Sequence, residues 1–197
     1  PSEPGDIKPL EATLRWEAGQ NVTHFILQPG DIRHDISSQE KEDGVAVVTG
    51  LTSETEYFAT LYNNTKIRGS QTFTTGIDIG DNTLVLPTDD LFQVIADAAP
   101  GDILLLEQGD YTAQVGSITI DKPLTIQGLR TDFKPLLKVS FSLITGATDV
   151  SLIDLDLTGD APTDLTDMLR YTDVGNYNSL LVSGCVVHDY SRSFIAR

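Results

Sequence analysis

The chain has 197 residues, with 29 acidic and 13 basic side chains and a formal net charge of −16. A surface this acidic repels phosphate backbones and anionic lipid head groups, so neither nucleic acid nor a membrane surface is an expected partner. No stretch approaches the roughly 18 consecutive apolar residues of a membrane helix, so direct membrane insertion is not expected either. The length favours two modest domains. The single cysteine, Cys185, allows no internal disulfide and is interpreted as a small buried residue.

Residues 7–75 contain short strand-like segments separated by Gly and Asn turn residues. The segments lie at 12–17, 23–28, 45–49, 57–62 and 72–75. This spacing, without a helical period, is typical of an antiparallel β-sandwich. Trp16 is expected to supply one large ring to the sandwich core. The polar stretch 33–43 is predicted to be a solvated loop.

A second feature of this half is the segment 51–57, LTSETEY, which has the spacing of a tyrosine corner leading into the next strand. The order Leu, three residues, Thr, one residue, Tyr resembles the late pattern of fibronectin type III domains. The closing segment 71–75, QTFTT, adds to this resemblance. It implies an antiparallel β-sandwich over residues 1–76.

The character of the chain changes after residue 76. Residues 77–82 are predicted to be a linker, because they combine Gly with turn-forming Asp and Asn. Of the 18 acidic residues beyond Gly76, 17 are Asp and one is Glu107. Such a balance suits turns better than helices.

One helix is nevertheless predicted, before Pro100. Thr88 is expected to cap it, and the following acidic residues favour its positive end. Its apolar stripe comprises Leu91, Phe92, Ile95 and Ala98 or Ala99.

Aliphatic strands follow this helix at regular intervals. They are predicted at 101–111, 124–128, 136–143, 150–157 and 180–187, with Gly and Asp turns between them. Strand starts near 124, 150 and 180 give a repeat of roughly 26 to 30 residues, within the range of solenoid coils. Since one coil cannot bury its own inner face, stacked neighbours are expected to form the core.

The order of these segments resembles the opening of pectate-lyase-like β-helix proteins. The resemblance rests on a short helix, the turn and aliphatic run of 100–111 (PGDILLLEQGDY), and a Lys-Pro turn before a strand ending at Gly128. It implies a right-handed parallel β-helix over residues 83–197 with an N-terminal capping helix, and hence an all-β chain. No second cap is visible before Arg197, so we expect the N-terminal part of a longer β-helix. An oligomer through the uncapped C-terminal coil is the alternative.

A sandwich joined to such a β-helix is similar to surface proteins of gut Bacteroidetes. The resemblance implies a carbohydrate-associated protein that is extracellular, at the cell surface or periplasmic, with polysaccharide as its partner. A polysaccharide lyase or glycoside hydrolase with catalytic coils beyond Arg197 is one alternative, and a structural stalk or adhesin is another. No catalytic residue is assigned within this chain.

The carbohydrate-binding candidates are three tyrosines and one arginine near the end of the chain. Tyr171, Tyr177 and Tyr190 fall in predicted loops between late coils, where flat rings can stack on sugars; ordinary packing is the alternative. Arg192 is the polar candidate beside them. For a lyase, the candidate bases are Lys138, Arg170 and Arg192, each otherwise a surface cation.

Two further groups complete the list of candidates. Asp154 and Asp156 alternate on the predicted strand 150–157 and therefore share an outward face, where two carboxylates can contribute to a Ca²⁺ site. A solvated, acidic strand edge is the alternative. His188 can act near neutral pH, but adjacent strand residues point to opposite faces, so Asp189 is expected to stay apart from it.

Overall fold

A computed structural model describes residues 5–197 of the chain. The chain divides into two compact units, Pro1–Asp78 and Ile79–Arg197. Across the described residues there are 17 strands and two short helices, so the protein is all-β.

The first unit is an antiparallel β-sandwich. Its elements are β1 (Glu11–Arg15), β2 (His24–Gln28), β3 (Ile32–Asp35), α1 (Ser38–Asp43), β4 (Val45–Thr49), β5 (Glu56–Asn63) and β6 (Lys66–Thr74). One sheet pairs β1 with β4, and the other has the order β3-β2-β5-β6. Alternating residues of both sheets, such as Leu14 of β1 and Leu27 of β2, are buried in one shared core.

The predicted tyrosine corner is present at the start of β5. The Tyr57 side chain is buried, and its hydroxyl accepts a hydrogen bond of 2.9 Å from the Thr52 backbone N–H. The ring lies against Phe73 of β6, with 5.8 Å between centroids. Trp16 is only partly buried, but it packs against the same core and meets Phe25 edge-on at 5.5 Å.

The prediction of a loop over 33–43 is wrong, since this stretch contains the end of β3 and all of α1. The helix is started by a capping box: the Ser37 hydroxyl accepts from the Glu40 backbone N–H, and the Glu40 carboxylate accepts from the Ser37 N–H at 2.7 Å. Gly44 ends it in the left-handed conformation, with φ of 69°. The spacing of Ser and Glu at 37 and 40 is the signal for this helix, which a purely apolar pattern does not reveal.

The second unit is a parallel β-solenoid of about four coils. Its elements are β7 (Thr83–Val85), α2 (Leu91–Asp97), β8 (Ile103–Leu106), β9 (Asp110–Ile120), β10 (Leu124–Gly128), β11 (Leu136–Leu143), β12 (Asp149–Ile153), β13 (Asp156–Thr158), β14 (Asp167–Tyr171), β15 (Ser179–Ser183), β16 (Val186–His188) and β17 (Ser193–Ala196). A first parallel sheet has the order β15-β12-β10-β8-β7, and a second contains β9, β11, β13, β14, β16 and β17.

Strand register confirms the predicted spacing for the two later coils and shows a shorter coil before them. Ile103 pairs with Thr125, Thr125 with Ser151, and Ser151 with Leu181, so successive coils contain 22, 26 and 30 residues. Phe141 of β11 pairs with Ile118 on one side and Leu169 on the other, and all three side chains are buried. The inward-facing residues of stacked coils therefore form one continuous core.

Helix α2 lies at the start of the solenoid and buries Leu91 and Ile95 in its core. The predicted cap is wrong: Asp90 rather than Thr88 is the N-cap, and its carboxylate accepts from the Gln93 N–H at 3.0 Å. Several polar residues in a row precede this helix, and the apolar stripe alone does not determine which of them caps it.

Two predicted strands are each divided by a corner. The segment 150–157 consists of β12 and β13, and the segment 180–187 consists of β15 and β16. Asp154 and Gly184 occupy equivalent corner positions with φ of 52° and 64°. The sequence does not reveal such a corner, because the strands on both sides of it bury apolar side chains and the aliphatic run looks continuous.

Candidate functional site

The outer face of the second parallel sheet carries a polar depression of about 250 Å³, here named the serine cavity. Two of its hydroxyl groups, from Ser117 of β9 and Ser142 of β11, lie 2.8 Å apart. These residues face outward because inward-facing neighbours such as Phe141 occupy the core. The other polar lining residues are Ser140, Asp164, Thr166, Asp167, Arg170 and Thr172.

The Asp167 carboxylate organises this region. Its side chain is only 3% exposed and accepts hydrogen bonds from Ser193 Oγ at 2.5 Å, Arg192 Nε at 3.0 Å and Thr166 Oγ1 at 3.1 Å. Arg170 also donates to the carboxylate. Burial alone raises the pKa of Asp167, but the hydrogen bonds from Ser193, Arg192 and Thr166 and the Arg192 charge outweigh it and lower the pKa. The carboxylate is therefore ionised and fixed.

The two arginines remain accessible although both contact Asp167. The Arg170 side chain is 43% exposed and the Arg192 side chain is 58% exposed. A guanidinium has five N–H donors, so contacts to one carboxylate leave donors for a ligand. Two of the three predicted cations therefore converge on one carboxylate, whereas Lys138 pairs with Asp160 at 2.6 Å.

A second depression of about 240 Å³, here named the histidine cavity, lies on the last coil. It is lined by both His188 and Arg192, and Arg192 connects it to the serine cavity because it also bonds Asp167. Tyr190 and the half-exposed ring of Phe194 supply aromatic surface. The remaining lining residues are Val187, Asp189 and Ser193.

The expected separation of His188 and Asp189 is wrong. Strand β16 ends at His188, and Asp189 has a left-handed φ of 60°, so strand alternation no longer applies. His188 Nδ1 lies 2.5 Å from the Asp189 carboxylate, and Nε2 lies 3.1 Å from Asp156 of the preceding coil. The hydrogen bond to Asp189, opposed by partial burial, and the contact with Asp156 raise the pKa of His188.

The three candidate tyrosines do not form one flat platform. Tyr171 and Tyr177 meet edge-on, with ring centroids 4.6 Å apart and planes inclined by 64°. The Tyr177 hydroxyl lies within hydrogen-bond distance of both the Leu143 carbonyl and the Asp173 carboxylate, while the Tyr190 hydroxyl donates to the Val139 carbonyl. All three rings pack against the core, and of the three only Tyr190 lines a cavity described above.

The two candidate calcium ligands are placed differently from the prediction. Asp154 lies in the corner between β12 and β13, is nearly buried, and accepts from Lys134 Nζ at 3.0 Å. Asp156 begins β13 and contacts His188. The shared strand face on which the prediction depended is therefore absent. Residues 5–197 contain no group of three or more His, Cys, Asp or Glu side chains arranged to hold a metal ion.

Residues that sequence reasoning missed are Asp167, Phe194 and the outward serines. The serines alternate with buried residues over 138–142 (KVSFS), which is a usable signal for an outward hydroxyl row. The role of Asp167 depends on contacts with the next coil, 25 residues away, which no local pattern shows.

Comparison of the chain with protein-family models, curated proteins and solved structures found no match. Neither of the two helices described within residues 5–197 has the length and apolar character needed to span a bilayer.

Proposed function

We propose that the second unit binds a polysaccharide along the outer face of its second parallel sheet. The observation that carries this proposal is the buried Asp167, which fixes two half-exposed guanidinium groups beside a hydroxyl-lined cavity. Sugar hydroxyls both donate and accept hydrogen bonds, so a site with arginine, aspartate and serine groups suits them. A small number of well-placed polar groups is typical of ligand sites.

The rigidity of the two arginines supports binding. A free arginine loses considerable side-chain entropy when a ligand fixes it. Here Arg192 is already held through Nε and Nη2, and Arg170 through one Nη2 contact. Much of that entropy loss therefore occurs on folding, before any sugar arrives.

The aromatic lining of the histidine cavity gives further support. Phe194 is 48% exposed and lies near Arg192 and Tyr190 around the same depression. A sugar ring presents apolar C–H groups on one face and hydroxyls at its rim, which suits an aromatic surface bordered by charged donors.

Catalysis is the less well supported use of these groups. A lyase base must be able to lose its proton, and a guanidinium keeps its proton in proteins. A hydrolase acid needs a raised pKa, whereas the pKa of Asp167 is lowered. We therefore place binding ahead of lyase or hydrolase activity for this chain.

For the first unit we propose a fibronectin type III-like domain that presents the solenoid outside the cytoplasm. The tyrosine corner and the four-stranded sheet order β3-β2-β5-β6 support this assignment. We further propose a pectate-lyase-like relationship for the solenoid, supported by helix α2 at its start and its parallel strands. Labelling with a membrane-impermeant reagent, first of intact cells and then of cells with a permeabilised outer membrane, tests the proposed location: protection in both, until the inner membrane is lysed, contradicts it.

Glycan binding is tested with residues 1–197 on an array of neutral and acidic glycans, followed by calorimetry with the best ligand. Arg192→Lys keeps the charge but loses the planar, bidentate donor geometry, so we expect affinity to fall about tenfold. Arg33→Lys is the matched control, because Arg33 forms an exposed pair with Asp35 in the first unit. Absence of binding to every glycan, or equal losses in both variants, contradicts the proposal.

A further inference from the structure

His188 lies between two carboxylates that come from different coils. Its Nδ1 is 2.5 Å from Asp189, the next residue, and its Nε2 is 3.1 Å from Asp156 on β13. Strands β13 and β16 are parallel neighbours, with Thr158 opposite His188. The last coil is thus linked to the coil before it by the His188 side chain as well as by backbone pairing.

This arrangement requires a charged imidazole. An ionised carboxylate can only accept hydrogen bonds, so both ring nitrogens must donate. A neutral histidine has one N–H and one lone pair, and therefore satisfies only one of the two carboxylates. Loss of the proton leaves the other carboxylate facing a lone pair and breaks one of the two contacts.

Both contacts bear on the ligand site, because the Asp189 contact restrains the start of the turn and the Asp156 contact holds His188 itself on the preceding coil. Asp189 has a left-handed φ of 60° and begins the short turn that leads to Tyr190 and Arg192. A residue with a side chain adopts this conformation less readily than glycine and keeps it where its surroundings hold it. The His188 contact is one such restraint on the turn.

The charged groups around His188 define its electrostatic environment. Asp156 faces it from β13, and Asp189 faces it from its own coil. Arg192 lines the same cavity but is bound to Asp167, and Lys138, on neighbouring strand β11, is paired with Asp160. Within this part of the solenoid, the two carboxylates are thus the groups in direct contact with the imidazole.

We propose that the proton on His188 holds the 189–192 turn in place, so that ligand binding at the histidine cavity is strong when His188 is charged and weakens when it is neutral. The ligand part of this inference rests on the proposed polysaccharide function. The change in the turn does not, because it follows from contacts within the chain.

The direction of the effect follows from linkage. The pKa of His188 is raised in the folded chain, chiefly by the hydrogen bond to Asp189 and then by Asp156, against partial burial. The stabilisation is therefore complete below the unfolded pKa of about 6.5 and is lost as pH rises through the higher folded value. The site is expected to be ordered while His188 is charged and to loosen as pH rises through the raised folded pKa of His188.

Nuclear magnetic resonance of residues 1–197 between pH 5 and pH 9.5 tests the turn. We expect the His188 ring to titrate above about 6.5, and the amides of Tyr190 and Arg192 to shift with the same midpoint. Asp189→Asn should lower that midpoint and reduce the amide shifts. His34→Gln is the control, since His34 pairs with Glu40 in the first unit, and this variant should leave the midpoint unchanged.

Binding of the best array glycan, measured at pH 6 and pH 9, tests the ligand part. We expect at least a fivefold loss of affinity at the higher pH, and a much smaller pH dependence in His188→Gln. The inference is overturned if the His188 ring titrates with a midpoint at or below about 6.5. It is also overturned if the chemical shifts of the Tyr190 and Arg192 amides do not change with that midpoint. If no glycan binds at either pH, the proposed function fails while the resonance titration still decides whether His188 controls the turn.

Discussion

Replacing Phe141 with alanine is the most direct test of the stacked-coil core. The ring is fully buried on β11 and lies in register between Ile118 of the coil before and Leu169 of the coil after. Its removal therefore takes away contacts to two neighbouring coils at once. In a fold whose units contact only their neighbours, such a loss weakens the interfaces on both sides.

The expected cost is large relative to the stability of the unit. Deleting a buried phenylalanine side chain destabilises a protein by about 3–5 kcal/mol, through lost burial and the cavity left behind. The second unit spans Ile79–Arg197, and typical stabilities of about 0.05–0.15 kcal/mol per residue give about 6–18 kcal/mol in total. We therefore expect Phe141→Ala to remove between about one sixth and most of the free energy of unfolding.

Urea unfolding followed by far-ultraviolet circular dichroism measures this loss. Thr119→Ala is the matched control, because Thr119 is exposed on adjacent strand β9 and its neighbours Ile118 and Ile120 are buried. That variant should stay within about 0.5 kcal/mol of the parent chain. A loss below about 1 kcal/mol for Phe141→Ala would show that the ring does not bridge the coils, and would refute the stacked core.

Two further predictions concern other contacts. Tyr57→Phe removes the acceptor for the Thr52 N–H, and we expect about 1–2 kcal/mol of lost stability in urea unfolding followed by Trp16 fluorescence; no loss contradicts the corner contact. Because its folded pKa is lowered, Asp167 contributes stability above its unfolded pKa of about 3.9, and this contribution is lost as pH falls through the folded value. The difference in melting temperature between the parent chain and Asp167→Asn should thus shrink in acid, and a constant difference argues against the ionised contact.

Most of the fold could be predicted because its signals are local. The β1 segment alternates buried and exposed residues, which is the period of a sheet with one buried face. Aliphatic runs at intervals of 26 and 30 residues likewise predict stacked coils, since a strand buried between neighbours has few other sequence signatures. The corners at Asp154 and Gly184 escaped prediction, because aliphatic residues continue on both sides of each turn.

The candidate site was less predictable because its contacts join distant residues. Arg192 was identified by residue type, but its partner Asp167 lies 25 positions earlier and on another coil. Asp189 was expected to point away from His188, yet a left-handed backbone at Asp189 brings the two together. Strand periodicity specifies which face a residue occupies only while the strand continues.

The unequal coil lengths explain why the site lies on the second sheet. Strand β11 runs without interruption from its pairing with β13 to its pairing with β14. In the next coil, residues 159–166 separate β13 from β14, and they supply Asp164 and Thr166 to the serine cavity. In the last coil, residues 189–192 separate β16 from β17, and they supply Asp189, Tyr190 and Arg192 to the histidine cavity. The first sheet keeps its register throughout, so added residues extend outward at the second sheet without disturbing the core, as expected where loops on a rigid scaffold carry the binding groups.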